Sequence, residues 1–262
     1  MRMSDGTIPE VLLGGMLFSL AEAPPGGERH FHRWYERDHF YAGCMAGPGF
    51  FSARRFIATR DLKSSRFPEP TPITDNIRLG SFLHLYWLLK GVVDETIGWS
   101  VDQVLQLYKQ NRMDAPRTNI STGFYDYAWG EFRDADGVPP ELALEHHYAG
   151  VVATMYDRTA GDESAEPWLR RQLQPPAGSP IAMSLAFRPR DLPPGTPNNV
   201  PRVPEAIRAN RFLVLSFLEA NPRDGWAAPF RAIEQAGGPA RLIYAAAFIP
   251  TRPGTDTYLD EL

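Results

Sequence analysis

The chain carries a single cysteine, Cys44, among 262 residues. That excludes an intrachain disulfide and any site built from several thiolates, and it fits the reducing cytoplasm better than a secreted, cross-linked framework. Cys44 itself reads either as a thiol nucleophile or as a small apolar residue at a helix end. Long hydrophobic runs are also lacking, and no stretch reaches the roughly 20 apolar residues that span a bilayer. The nearest, residues 11–20, precedes Ala21-Glu22-Ala23, which imitates a signal-peptide cleavage site. Asp5 and Glu10 offset Arg2 ahead of it and Gly14-Gly15 interrupts it, so a buried strand is expected, and no membrane partner. With a formal charge of -4 and no window rich in Lys and Arg, the chain has no attraction for a phosphate backbone, which removes nucleic acid as a partner. There is no P-loop, no G-x-G-x-x-G after a strand and no G-x-S-x-G elbow, so nucleotide and α/β-hydrolase chemistry have no support.

What is present is an ordinary globular composition, 43% apolar, in a length suited to one large domain or two of about 100–150 residues. After a polar, loose N-terminus, residues 11–20 read as a strand and Pro24-Pro25-Gly26-Gly27 as a breaker. Residues 28–44 have helical spacing that sets Phe31, Tyr35 and His39 in one row. A Gly47-Pro48-Gly49 turn leads to a strand at 50–59. Residues 61–80, with Pro68, Pro70 and Pro72, form a long loop of the kind that shields or lines a site. A strand at 81–89, a helix at 101–113 and a strand at 123–132 complete a first half.

The order then recurs. Residues 145–157 read as a strand, 164–173 as a helix capped by Ser164, and 181–188 as a strand. A second proline-rich loop, 189–204, precedes a strand at 211–219, a helix at 226–236 ended by Gly237-Gly238, and a strand at 241–249. Phe82, Leu83, Leu85 and Leu88 line up with Phe212, Leu213, Leu215 and Leu218, each 130 positions later, and Trp99 and Trp226 precede the second helix of each half. Each half is therefore βαββαβ, the ferredoxin-like unit, with a division expected at residues 1–137 and 138–262. Two sheets with helices on one face bury their other faces by packing together, which gives an α+β fold closed within one chain.

The string Trp34-Tyr35-Glu36-Arg37-Asp38-His39, followed by Pro48-Gly49-Phe50 and Ser52-Ala53-Arg54-Arg55-Phe56, resembles the signature of dimeric α/β-barrel proteins, in particular the EthD-like and related small barrel enzymes. It departs from them after His39, where Phe40-Tyr41-Ala42-Gly43 replaces an apolar residue followed by proline. The resemblance implies two ferredoxin-like repeats packed sheet to sheet as an intrachain dimeric α/β barrel, and so a monomer with an internal pseudo-dimer or a homodimer. It also implies the superfamily's range of activities, from isomerases, cyclases and other lyases of secondary metabolism to cofactor-free monooxygenases and haem proteins. Fold analogy does not choose among these.

The repeat itself points to the chemistry. Aligning Trp34 with Trp168 sets Asp38 and His39 opposite Gln172 and Leu173, while His84 and Tyr86 face Val214 and Ser216, so the titratable groups belong to the first, active half and the second is structural. His39 suits a general base, or else a helix-terminal histidine answering the helix dipole. His84 and Tyr86, at i and i+2 on one strand face, would aim a second base and an oxyanion donor into one cavity, or form a half-exposed polar pair. Tyr35 and Trp34 beside His39, with Phe51, would line a substrate pocket. Arg54 and Arg55 point to opposite faces, and Arg55 is taken as the one that meets a substrate carboxylate. His32, Glu36 and His39 have helical metal-ligand spacing of the accidental kind, and no metal is expected. His146-His147 adjoin on a strand, and one of them would be the iron ligand if haem bound. The reading is a cofactor-independent enzyme for a hydrophobic aromatic or polyketide-like molecule. Its alternatives are a haem enzyme of the same superfamily and a non-catalytic, stress-response barrel that holds an apolar ligand.

Overall fold

Strands buried along their whole length need cover on both faces. The computed structural model describes residues 10–196, 198 and 202–262. The polar N-terminus lies outside the described residues, as do four positions of the second proline-rich loop. β1 (Leu13–Glu22), β2 (Phe50–Ile57), β3 (Phe82–Leu89) and β4 (Thr118–Phe132) form one half-sheet. β5 (Gly150–Arg158), β6 (Ile181–Pro189), β7 (Arg211–Leu218) and β8 (Ala240–Pro250) form the other. They close into one barrel in the order β1-β3-β2-β8-β5-β7-β6-β4. Cut at the β2–β8 and β4–β6 seams, this is the ferredoxin-like order twice, 4-1-3-2 and 8-5-7-6. The α+β fold of two repeats packed sheet to sheet is what the chain adopts.

β3 shows how the two faces divide. Leu83, Leu85 and Trp87 point inward, where the Trp87 ring lies 5.6 Å from Phe187 and 6.5 Å from Phe217, both from the second half. Phe82 and His84 point outward, 4.9 and 6.1 Å from Phe31 of α1 (Glu28–Trp34). The barrel interior is thus a core shared by both halves, and the helices cover the outside. The long loop after β2 completes a weak seam. β2 pairs with β8 only at Phe56–Pro250 and Ile57–Ile249. Farther along β8, Phe67 and Ala245 exchange backbone hydrogen bonds of 3.3 and 2.6 Å, and the Thr71 hydroxyl donates to the Ile243 carbonyl at 2.6 Å. That loop, which contains α2 (Arg60–Ser64), caps an otherwise open strand edge.

Several boundaries differ from the expectation, each for a local reason. α3 (Val93–Lys109) begins eight residues earlier than its spacing suggests, because Asp94 and Glu95 suit its first turn and Thr96 and Ile97 are buried. Trp99 therefore lies inside α3, whereas Trp226 stands at the N-cap of α6 (Ala227–Ala236), and the two are not equivalent. Ser164 precedes α4 (Ala165–Leu173) without capping it, since its hydroxyl donates to the Asp162 carboxylate at 2.6 Å instead. β5 starts at Gly150, because the 140–146 segment forms turns, so His146 and His147 are exposed turn residues and not strand neighbours. α5 (Glu205–Arg208) is a single turn before β7.

The Gly47-Pro48-Gly49 turn sits directly on α3. A Cβ on Gly47 would lie 2.2 Å from the Trp99 ring, and one on Gly49, whose φ is +79°, would lie 2.0 Å from Thr96 Oγ1. Gly49→Ala combines a left-handed backbone with an overlap, and it is expected to cost about 2–4 kcal/mol. A denaturant midpoint for Gly49→Ala equal to that of the natural chain would contradict this packing.

Candidate functional site

Antiparallel register fixes which groups share the outer face of the first half. Arg55, His84, Ser19 and Thr122 form one row across β2, β3, β1 and β4, and Ala53, Tyr86, Leu17 and Phe124 form the next. Between this face and the helices lies a cavity of about 110 Å³. Leu17 and Ala21 of β1 and Val101 and Val104 of α3 give it apolar walls. Tyr35, His39, Cys44, Ser100 and Arg117 supply its polar groups.

The helix that carries Tyr35 and His39 is not uniform. After α1 it widens into two π-helical stretches, Tyr35–His39 and Tyr41–Met45, in which the Phe40 N–H donates to the Tyr35 carbonyl. Such widening is frequent at functional sites, and here it falls where the sequence departs from the family signature. Gly43 leaves room for the imidazole of His39, since a Cβ there would lie 3.0 Å from Cε1 and 3.1 Å from Nδ1. The ring stacks on Trp34 at 4.7 Å and meets the edge of Tyr35 at 5.0 Å. Nδ1 is buried without a partner among the described residues, and the residue lines the cavity. Burial, and then the charge of Arg117, pull the His39 pKa down to about 3 against the opposing effect of Asp38. The imidazole is neutral at ordinary pH.

Tyr35 is the wall between the cavity and two other expected site residues. Its ring lies flat on His84, 3.5 Å between centroids, and its hydroxyl accepts a 3.0 Å hydrogen bond from Tyr86. His84 and Tyr86 do share a strand face, but both are fully buried behind Tyr35 and do not line the cavity. Tyr86 also packs against Phe40 and Phe50 at 5.2 and 5.9 Å, and burial raises its pKa well above the ordinary tyrosine value. Burial likewise pushes the Cys44 thiol, beside Tyr86 and Ser100, up to about 12, so it is no thiolate nucleophile.

The other candidates separate cleanly. Arg55 faces the helices, where it donates to His32 Nδ1 at 3.0 Å, lies 3.4 Å from the Glu36 carboxylate and stands 5.5 Å over the Tyr35 ring. Arg54 points the other way and donates to the Leu144 and His146 carbonyls. Trp34 donates from its indole N–H to the Arg112 carbonyl at 2.8 Å and carries the Arg117 guanidinium 5.0 Å over its ring. Phe51, half-buried in a bulge between Phe50 and Ser52, lies away from the cavity. His32 is structural, with Nε2–H on the Thr255 carbonyl at 3.0 Å and Nδ1 accepting from Arg55. Among the described residues no group of three or more His, Cys, Asp or Glu is placed to hold a metal ion. His146 and His147 are exposed and remote from the cavity, with the His146 ring against Tyr148 at 4.5 Å. Sequence reading missed Arg117 and Ser100. Arg117 stands in the connection from α3 to β4 and Ser100 inside a helix that starts earlier than its spacing shows, so no periodic pattern marks either.

Neither the family models nor the curated proteins compared with this chain give a match. Solved structures do. A chlorite dismutase-like protein superposes with a TM-score of 0.51 at 10% identity, over 96% of this chain and 100% of its own. The encapsulated DyP-type peroxidase of Mycobacterium smegmatis superposes with a TM-score of 0.50 at 12% identity, over 94% of this chain and 95% of its own. At such identities the likeness is one of fold, and it extends over nearly the whole of each chain. With its closed barrel of two ferredoxin-like units, the chain has a dimeric α/β-barrel fold, both halves within one polypeptide.

Proposed function

We propose that this chain is a cofactor-independent enzyme that removes a proton beside a carbonyl of a hydrophobic, aromatic or polyketide-like molecule, with His39 as the general base. The observation that supports this most is a neutral imidazole that lines an apolar cavity together with a guanidinium, Arg117, whose charge acts on it. In the step the C–H bond breaks, its electron pair passes to the carbonyl oxygen as an enolate, and the proton goes to His39 Nε2. A pKa near 3 makes the free site a weak base. The enolate formed beside the ring stabilises the imidazolium in a low dielectric, and Arg117 stabilises the oxyanion. Trp34 stacks on the ring of His39 and Tyr35 meets its edge, which orients it. The enolate then serves cyclisation, isomerisation, dehydration or the first step of a cofactor-free oxygenation. On this reading the protein works in the cytoplasm, as a monomer or homodimer, without nucleic acid or membrane. Among the described residues no helix is long and apolar enough to cross a membrane.

Haem, the alternative implied by the superfamily, fits the residues poorly. His146 and His147, one of which would ligate the iron, are exposed and do not line the cavity. Absence of a Soret band after haem is added to the purified protein agrees with this, and a stable band contradicts it.

The proton-transfer reading predicts that the protein accelerates exchange of the α-protons of small aryl 1,3-diketones in D2O. His39→Ala should lower that rate by about 10²–10⁴ and Arg117→Gln by about 10²–10³. Full exchange in His39→Ala, or none in the natural chain, contradicts it. A pH dependence of stability follows as well. His32, His39 and His84 all have pKa values lowered chiefly by burial, so below pH ~6.5 the unfolded chain takes up protons that the fold refuses. The denaturant midpoint should fall between pH 7 and 5, and a flat midpoint would show that these rings are not held neutral.

A further inference from the structure

His84 is fully buried, yet neither of its ring nitrogens has a partner among the described residues. Its cross-strand neighbour Arg55 faces the same way, and its Nε is equally unpartnered because its two Nη groups are taken by His32 and Glu36. A neutral imidazole presents one donor, and a guanidinium presents donors only. Two adjacent donors thus stand buried without an acceptor, an arrangement native proteins rarely leave unused.

One side chain covers both. Tyr35 lies on His84 at 3.5 Å and under the Arg55 guanidinium at 5.5 Å, and its other side is a wall of the cavity. Ser19, the neighbour of His84 on β1, already lines that cavity. The ring of Tyr35 therefore stands between the cavity and the two donors, at the start of the π-helical stretch.

We propose that Tyr35 is a lid over a carboxylate subsite formed by Arg55 and His84. When the ring swings off His84, the cavity extends across β1 and β3, and a carboxylate of the ligand accepts from Arg55 Nε–H and the imidazole N–H of His84. The ligand class is an aromatic acid: an acid because the free groups are donors beside a guanidinium, and aromatic because the place a ligand would take is that of the Tyr35 ring, packed against Phe31, Trp34 and His84. The charges that face the subsite are Arg55, with Arg117 beyond, and Glu36, which Arg55 already holds. The subsite deepens the reading of this cavity but is read by binding alone, so it stands or falls separately from proton transfer at His39.

The test is titration of the 15N-histidine-labelled natural protein with benzoate, with benzamide as the uncharged control. Benzoate should shift the ring nitrogens of His84 saturably, and benzamide should not. Arg55→Gln should weaken benzoate about tenfold or more, the loss of one charge-assisted hydrogen bond, and Tyr35→Ala should tighten it by removing the closed state. If either variant fails to fold, the benzoate and benzamide pair on the natural protein decides. A shift of His39 alone, an unmoved His84, or equal shifts with benzamide overturns the lid and leaves the role of His39 to the exchange assay.

Discussion

Closure of the two half-sheets on each other governs where chemistry can occur in this chain. Trp87, Phe187 and Phe217 meet at the barrel axis from both halves, and the fully buried residues around them leave that interior as core. Polar work is displaced to the outer faces, under the helices. There the halves differ. In the second, Ser216 is satisfied by Ser184 at 2.9 Å, and Val214 and Leu173 are buried. In the first, the corresponding positions carry His84, Tyr86 and His39, and the helix above them widens enough to leave a cavity.

The aromatic stack is what ties fold to site. Phe31, Tyr35 and His39 descend one helix face, Tyr35 is held between His84 and the cavity, and His39 between Trp34 and Tyr35. Each ring packs on the next, so the orientation of His39 is set by packing and not by a hydrogen bond at Nδ1. The burial that keeps the imidazole neutral also leaves Nδ1 without a partner among the described residues.

Much of the fold was legible because it rests on period-two strands and on a duplication that repeats Phe82, Leu83, Leu85 and Leu88 at a fixed offset. The aromatic helix was legible as a row of rings, and the separation of Arg54 from Arg55 followed from strand alternation. What the sequence hid was depth. Residues i and i+2 on a strand share a face, but nothing in that spacing says that Tyr35 would cover His84 and Tyr86. Nor did helical spacing show the π-helical widening that turns His39 toward the cavity, or the early start of α3 that brings Ser100 to it. Arg117 lies in a connection, where tertiary position alone gives it a role.

The most direct measurement is a crystal structure of the protein soaked with a small aryl 1,3-diketone. The ligand should lie in the first-half cavity with its α-carbon toward His39 Nε2 and an oxygen within hydrogen-bond reach of Arg117. A ligand seated on the second half, or in the cavity with nothing reactive toward Nε2, would contradict the assignment of His39 as the base.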